Sequence, residues 1–297
     1  MIKPTPSGAL LIDKQAGITS FSSLSVVKKL LGTKKVGHTG TLDSFASGLL
    51  VVLFGNMTKL ASIIEAQKKS YSGVVSMGIE TDTLDPTGVI VLEKAIPSYD
   101  ELQKASAKFL GTISQTPPLY SAIKINGKRA SDLVRAKKEV VLKSREIEIF
   151  SFSLFDYNSE KKELSFYVEC SKGTYIRTLL QQLFYSVESC CHLKSLRRES
   201  VGNFLVDDAQ ILKDDSIHLN CIDELTLVSL VDSIALISID KITYEKLRYG
   251  KPITNKELSH FDFDSEKKYL ALSYKNSLVA VLEKTQSKYS YRYNGAS

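Results

Sequence analysis

At 297 residues, 43 % hydrophobic and 24 % charged, the chain has the composition of a globular protein and the length of one large domain with an appendage, or of two domains. No apolar run approaches the roughly 20 residues that span a bilayer, Met1–Pro6 lacks a signal-peptide core, and Cys170, Cys190, Cys191 and Cys221 show no CxxC or metal-ligand spacing, so a cytosolic protein with free thiols is expected. The net charge of +6 divides into about +8 over residues 1–206, about −7 over 207–240 and about +5 over 241–297, a distribution suited to an extended polyanion touching two basic parts, or to an uneven solvated surface.

Gly8 to Asp13 (GALLID) reads as a strand. Thr19-Ser20 supplies an N-cap, Leu24, Val27, Leu30 and Leu31 recur at helical spacing, and Gly32 is the stop. Lys14 reads as a surface lysine. The stretch Gly37-His38-Thr39-Gly40-Thr41-Leu42-Asp43-Ser44-Phe45-Ala46-Ser47-Gly48 then leads into the apolar run Leu49 to Phe54. Gly37 and Gly40 read as a tight exposed loop, and the run as a buried strand. A carboxylate on a loop anchored by a buried strand has the rigid support that a reacting group needs. The alternative is a turn aspartate bonded to its own backbone.

Ala61 to Gln67 reads as a short helix, and Lys68 to Val75 as a strand start that carries Tyr71. Gly78 to Gly88 (GIETDTLDPTG) is turn-rich and acidic. Asp82 and Asp85 raise a paired-carboxylate hydrolase with Asp43 as a rival reading. Ser98 to Leu110 reads as an amphipathic helix that ends at Gly111. In Gln115 to Arg129 the prolines fix an extended approach, and Gly127 fits a hairpin turn. Eight basic and two acidic residues between Lys124 and Arg145 make that segment a candidate for backbone-phosphate contacts.

Glu146 to Tyr157 alternates loosely, and Glu163 to Cys170 alternates as a strand that runs into Ser171-Lys172-Gly173-Thr174-Tyr175-Ile176-Arg177. A helix through Leu183 follows. Tyr175 and Arg177 share one side if the segment is still extended. An arginine aimed at Asp43 would orient the carboxylate and hold it ionised. His192 to Gly202 contains Leu196-Arg197-Arg198. Val206 to Asp240, acidic with apolar patches, is expected to close the first domain with a helix or two. From about residue 241 the chain holds seven of its 14 tyrosines. There Tyr269–Leu272 and Ser277–Leu282 read as strands joined at Lys275-Asn276. No internal repeat, P-loop or GxGxxG occurs.

Four stretches in one order, GHTGTLDSFASGLL, PPLYSAIKINGKR, SKGTYIRTL and HLKSLRRESVG, resemble the motifs of the bacterial tRNA pseudouridine synthases of the uridine-55 (T-loop) type, the TruB family. The opening LLIDKQAGITS is similar too. Gln15 and Ser44 stand where the family usually has proline, and Ser44 leaves the catalytic loop backbone freer. The family often has a tyrosine near Ser131.

The resemblance spans about residues 8–206. It implies an α+β fold, a mixed, largely antiparallel sheet flanked by helices, with a small β-rich C-terminal domain. It implies a catalytic domain over 1–240, and Leu247-Arg248-Tyr249-Gly250-Lys251-Pro252, which looks similar to the start of a PUA-type RNA-binding barrel, implies a small PUA-like RNA-binding domain over 241–297, short for such a barrel. The activity implied is isomerisation of uridine to pseudouridine in the T-loop of tRNA, without cofactor or metal. Tyr175 and Arg177 match the family's third motif. Asp43 is implied as the catalytic carboxylate, His38 as the wedge that fills the flipped base's place, and Tyr71 as the ring stacked on the uracil and a candidate base for the C5 proton. Arg177 is implied as the partner of Asp43, and Leu196 as the apolar floor. The expected partner is the tRNA T-arm, with no membrane, no obligatory protein partner and a monomeric state. A non-catalytic RNA-binding protein on the same scaffold and a synthase acting on another RNA are the remaining alternatives.

Overall fold

The computed structural model describes residues 7–121, 123–125, 127–136, 138–212, 219–285 and 288–295. Gly8–Lys14 forms the first strand (β1) and Ser20–Leu31 the first helix (α1). The Thr19 side chain accepts from Ser22 N at 3.0 Å, and Gly32 ends the helix in the left-handed conformation, φ 61°. Val36–His38 (β2) and Ser47–Phe54 (β3) flank the Asp43 loop. Ala61–Glu65 (α2), Lys69–Met77 (β4), the pair Ile79–Thr81 (β5) and Ile90–Glu93 (β6), and Tyr99–Ser106 (α3) follow. Ser98 and Glu101 cap α3 reciprocally.

Gly111–Gln115 (β7) precedes the hairpin of Lys124–Ile125 (β8) and Lys128–Arg129 (β9), turned at Gly127 with φ 82°. Next come Ala130–Arg135 (α4), Arg145–Asn158 (β10), Glu163–Cys170 (β11), Ile176–Tyr185 (α5), Cys191–Val201 (β12) and Phe204–Leu205 (β13). The C-terminal part holds Cys221–Ile222 (β14), Glu224–Ser229 (α6), Ile234–Ser238 (β15), Lys241–Arg248 (α7), Asn255–Leu258 (α8), Tyr269–Tyr274 (β16), Ser277–Lys284 (β17) and Tyr289–Asn294 (β18).

The main sheet runs β14-β1-β3-β12-β4-β11-β10-β7, with β2 on β3 and β13 on β12. Its pairs are antiparallel except β12 with β3, where Arg197 and Arg198 lie beside Ser47 and Gly48. This is the expected mixed, largely antiparallel α+β architecture. The unbroken apolar run of β3 is explained by burial on both faces. Leu49, Val51 and Leu53 enter one core with α2 and α6, while Leu50, Val52 and Phe54 enter another under α1. A third core joins β4, β10, β11 and β12 to α3 and α5. Here β12 crosses β4 so closely that a Cβ on Gly73 would lie 2.4 Å from Ser195 O, so only glycine fits.

The C-terminal strands form a separate sheet, β15-β16-β17-β18, whose inner residues Ala271, Leu278, Val281 and Tyr293 pack on the first core. Lys275 and Asn276, at φ 48° and 58°, make the expected two-residue turn. The apolar strand Ile234–Ser238 pairs parallel with β16 and begins this sheet ahead of residue 241. The 206–240 stretch therefore supplies a strand to the C-terminal sheet as well as α6. Among the described residues, no helix is long and apolar enough to cross a membrane.

Candidate active site

The loop from Thr39 to Ala46 is fastened along most of its length. Thr39 N donates to Val51 O at 3.1 Å and Leu42 N to Ser20 Oγ at 3.0 Å, while Ser44 O accepts from Gly17 N at 2.7 Å. Arg198 Nη2 donates to Gly40 O at 3.1 Å, and Lys14 Nζ donates to Ala46 O at 2.5 Å. These bonds offset the freedom expected from serine in place of proline. Gly40, at φ 148°, is the glycine of this loop that uses left-handed freedom. Gly37, expected in the same tight turn, instead pairs with Leu53 as part of β2.

Asp43 projects from this loop into a cavity of about 410 Å³ that is also lined by Tyr71, Tyr175, Arg177 and Leu196. Its Oδ2 lies 2.9 Å from Arg177 Nη2. The Asp43 side chain is 40 % exposed and that of Arg177 only 3 %. Arg177 is oriented by two backbone acceptors, Thr83 O at 2.9 Å and Tyr120 O at 3.0 Å, and faces Asp85 Oδ2 at 3.6 Å. One guanidinium thus ties together the Asp43 loop, the 81–88 turn and the 115–125 segment. The expectation that the pair holds Asp43 ionised is only partly met. Desolvation by the surrounding protein raises its pKa above the usual carboxylate value, and Asp85 adds to the rise, while Arg177 and Lys14 oppose it.

Tyr71 lies on β4, 8 % exposed, in register opposite Arg198. Burial raises its pKa, so the phenol keeps its proton at neutral pH. Leu196, 7 % exposed on β12, belongs both to the cavity wall and to the core behind it. Tyr175 is the residue before α5. Gln115 bonds both its backbone groups, at 2.8 and 3.1 Å, and the Arg145 guanidinium lies 5.0 Å over its ring. Arg177 is already in the first helical turn rather than on an extended segment, yet both side chains reach the cavity.

His38, at the end of β2, is not in that cavity. It lines an adjoining one of about 340 Å³ that shares Thr41, Leu42, Asp43, Ser121 and Arg177 with the first. Its Nδ1 accepts from Gly40 N at 3.3 Å. Burial, with the nearby Arg198 charge, lowers its pKa below the usual histidine value, so the ring is neutral at pH 7.

A model of the TruB family pseudouridylate synthase N-terminal domain matches residues 28–176. The tRNA pseudouridine synthase B of Rickettsia bellii (strain OSU 85-389) is 36 % identical over 283 residues, covering 92 % of this chain and 92 % of that protein. The chain belongs to the TruB family of pseudouridylate synthases.

The tRNA pseudouridine synthase B of Treponema denticola is 51 % identical over 214 residues, 66 % of this chain. The match spans 60 % of that relative's length, less than two thirds. Among solved structures, one of a Cbf5-Nop10-Gar1 complex superposes with a TM-score of 0.70 at 21 % identity, covering 96 % of this chain and 83 % of that one. At that identity the likeness speaks for the fold, and it agrees with the sheet described above.

Several residues of this TruB-family site escaped the sequence reading. Asp85, rather than Asp82, reaches Arg177. Its Oδ1 is held by Thr83 Oγ1 at 2.8 Å and Thr87 N at 2.9 Å, whereas Asp82 Oδ1 accepts from Val89 N at 2.9 Å and caps its own turn. The carboxylate beside the Asp43–Arg177 pair is thus Asp85 and not Asp82. Lys14 is 1 % exposed rather than on the surface, and its ammonium also donates to Ile18 O at 2.7 Å. Burial pushes its pKa down to about 8. Lys69, 6 % exposed on the cavity wall, is likewise pushed down to about 8 by burial. Arg198, 2 % exposed, binds Leu49 O at 2.7 Å. Of the basic 124–145 segment, Arg135 and Arg145 line the two cavities. Ala122, Asn126 and Lys137, and the side chains of Lys124, Lys128, Arg129 and Ser131, lie outside the described residues.

Proposed function

We propose that this TruB-family protein isomerises uridine 55 in the T-loop of tRNA to pseudouridine, with Asp43 as the reacting carboxylate. The observation that carries the reading is the ion pair of a partly exposed Asp43 with a buried Arg177 at 2.9 Å, set in a cavity walled by Tyr71 and Leu196. A binding protein needs no such carboxylate. A reacting one needs a fixed orientation and a dry, closed setting.

The target base is stacked in the RNA, so it must be flipped out, at a cost of a few kcal/mol. His38 fills the gap it leaves, and a neutral imidazole suits that stacking role. Tyr71 stacks on the flipped uracil, and Leu196 forms the floor. Asp43 acts as nucleophile, at C1′ or at C6, and promotes cleavage of the N1–C1′ bond. The freed uracil is retained between Tyr71 and Leu196, turns and rejoins through C5. The C5 proton leaves by way of water near Tyr71, since a protonated phenol is a relay rather than a strong base. Cations at Lys172 and Arg145 on the cavity wall suit the phosphates of an RNA.

The sheet that begins at Ile234 serves as a small PUA-like RNA-binding unit beside the catalytic part. The protein acts on the tRNA T-arm as a monomer in the cytoplasm. The test is tritium release from a tRNA transcript labelled at uridine C5. Release that vanishes when only the T-loop uridine is replaced establishes reaction and target. Tight binding without release overturns the reading, and release that persists overturns the assigned position.

A further inference from the structure

Ser121 has a side chain that the steps above do not use. It is 5 % exposed, yet its Oγ has no hydrogen-bond partner in the protein. A buried hydroxyl left unpaired is unfavourable. Its position is not a packing accident in a remote core, because Ser121 lies on the wall of both cavities, which Asp43 and Arg177 also line. The backbone there is held firmly. Arg177 Nη2 donates to the carbonyl of the preceding Tyr120 at 3.0 Å, and Ser121 N donates to Leu119 O at 3.0 Å. A hydroxyl so held is pre-organised for a polar group that enters the cavity.

The chemistry of the substrate says which group. In the isomerisation the N1–C1′ bond breaks, a C5–C1′ bond forms, C5 loses its proton and N1 gains one. The base exchanges N1 for C5 by turning about the axis through N3 and C6. That turn exchanges O2 with O4 and leaves N3–H in place. The edge away from the sugar therefore reads acceptor, donor, acceptor before the turn and again after it. A serine hydroxyl both donates and accepts. It can bond the same edge in either orientation, at a point where a carbon side chain would leave that edge unsatisfied.

We propose that Ser121 Oγ hydrogen-bonds the O2/N3/O4 edge of the target uracil and holds it through both orientations. The proposal rests on the pseudouridine-synthase reading and adds a substrate contact to it. Ser121→Ala removes only an oxygen that has no partner in the free protein. Its melting temperature is expected to be no lower than that of wild type. Its tRNA Kd is expected within about threefold, because affinity is spread over phosphate contacts. Its single-turnover rate of tritium release is expected to fall about tenfold, and Ser121→Thr, which keeps the hydroxyl, to recover most of that loss.

An unchanged rate in Ser121→Ala would overturn the proposal. A slower rate with a large fall in melting temperature would also overturn it, since the hydroxyl would then be structural. A shift in the acid limb of the pH–rate profile would do the same, by showing that the hydroxyl acts on Asp43 and not on the base. If the wild-type protein itself releases no tritium, the synthase reading fails and the proposal falls with it.

Discussion

Replacing Arg177 by methionine keeps the bulk of the side chain and removes a guanidinium that faces Asp43 at 2.9 Å and Asp85 at 3.6 Å. Two separate effects follow. Asp85, its side chain 8 % exposed, loses its cation and keeps only Thr83 and Thr87 as donors. Stranding one half of a buried pair costs about 3–5 kcal/mol. Taking the lower figure, the melting temperature should fall by about 6–12 °C. Asp43 feels the change differently. Two charges 4 Å apart interact by about 4 kcal/mol at an effective dielectric of 20. Asp43's side chain is 40 % exposed, so solvent screening reduces this to about 1–2 kcal/mol, or about one pH unit. Losing a cation disfavours the ionised carboxylate, so its already raised pKa rises further. The acid limb of kcat/KM, read by tritium release at several pH values, should move up by about one pH unit. Asp85→Asn in the same background should restore part of the lost stability. An acid limb that does not move, or a melting temperature that does not fall, would refute the assignment of Arg177 as the cation shared by the two carboxylates.

Lys14→Met should leave the carbonyls of Ile18 and Ala46 unpaired and lower stability at pH 7 by about 1–3 kcal/mol, measured by urea unfolding. Because Lys14 is held near pKa 8 in the folded protein, against 10.5 for an exposed lysine, the unfolded chain binds more protons between those values. The stability advantage of wild type over Lys14→Met should therefore grow as pH rises from 8 to 10. An advantage that shrinks over that range would contradict the burial argument. Gly73→Ala should destabilise strongly, by about 2 kcal/mol or more, because the new methyl meets Ser195 O. A melting curve like the wild type's would show that β12 yields easily there. Tyr71→Phe keeps the ring and loses the hydroxyl on the cavity wall. Its tRNA affinity should hold while single-turnover rate falls by about 10². Equal losses in both would assign Tyr71 to binding alone.

Much of the fold could be read from local pattern. The caps of α1 and α3, the alternation of β11 and the Lys275-Asn276 turn are each fixed by a few neighbouring residues. The unbroken apolar run Leu49–Phe54 announced a buried strand, and its two faces enter separate cores. What the sequence withheld depends on residues far apart. The parallel pairing of β12 with β3 brings Arg198 under Gly40 across 158 positions, and no local signal marks it. Lys14 looked like a solvated lysine because lysine usually is one. Its burial follows from the carbonyls of Ile18 and Ala46, which loops supply. Asp82 and Asp85 sit three apart in one acidic turn. Leu84, at φ 60°, reverses the backbone between them, so that Asp85 alone reaches Arg177. The strand Ile234–Ser238 was hidden in an acidic stretch, and its partner lies across α7 and α8. Asp43, Tyr71, Tyr175, Arg177 and Leu196 came from motif resemblance, and they meet around one cavity. His38 came from the same source and lies in the neighbouring one.

The central claim is that Asp43 carries the reaction and not merely the fold of its loop. Asp43→Asn keeps the shape of the side chain and removes its charge. Purified variant and wild type would be compared for tRNA affinity and for tritium release under multiple-turnover conditions. The account predicts nearly unchanged affinity with no release above background. Measurable multiple turnover by Asp43→Asn would contradict it.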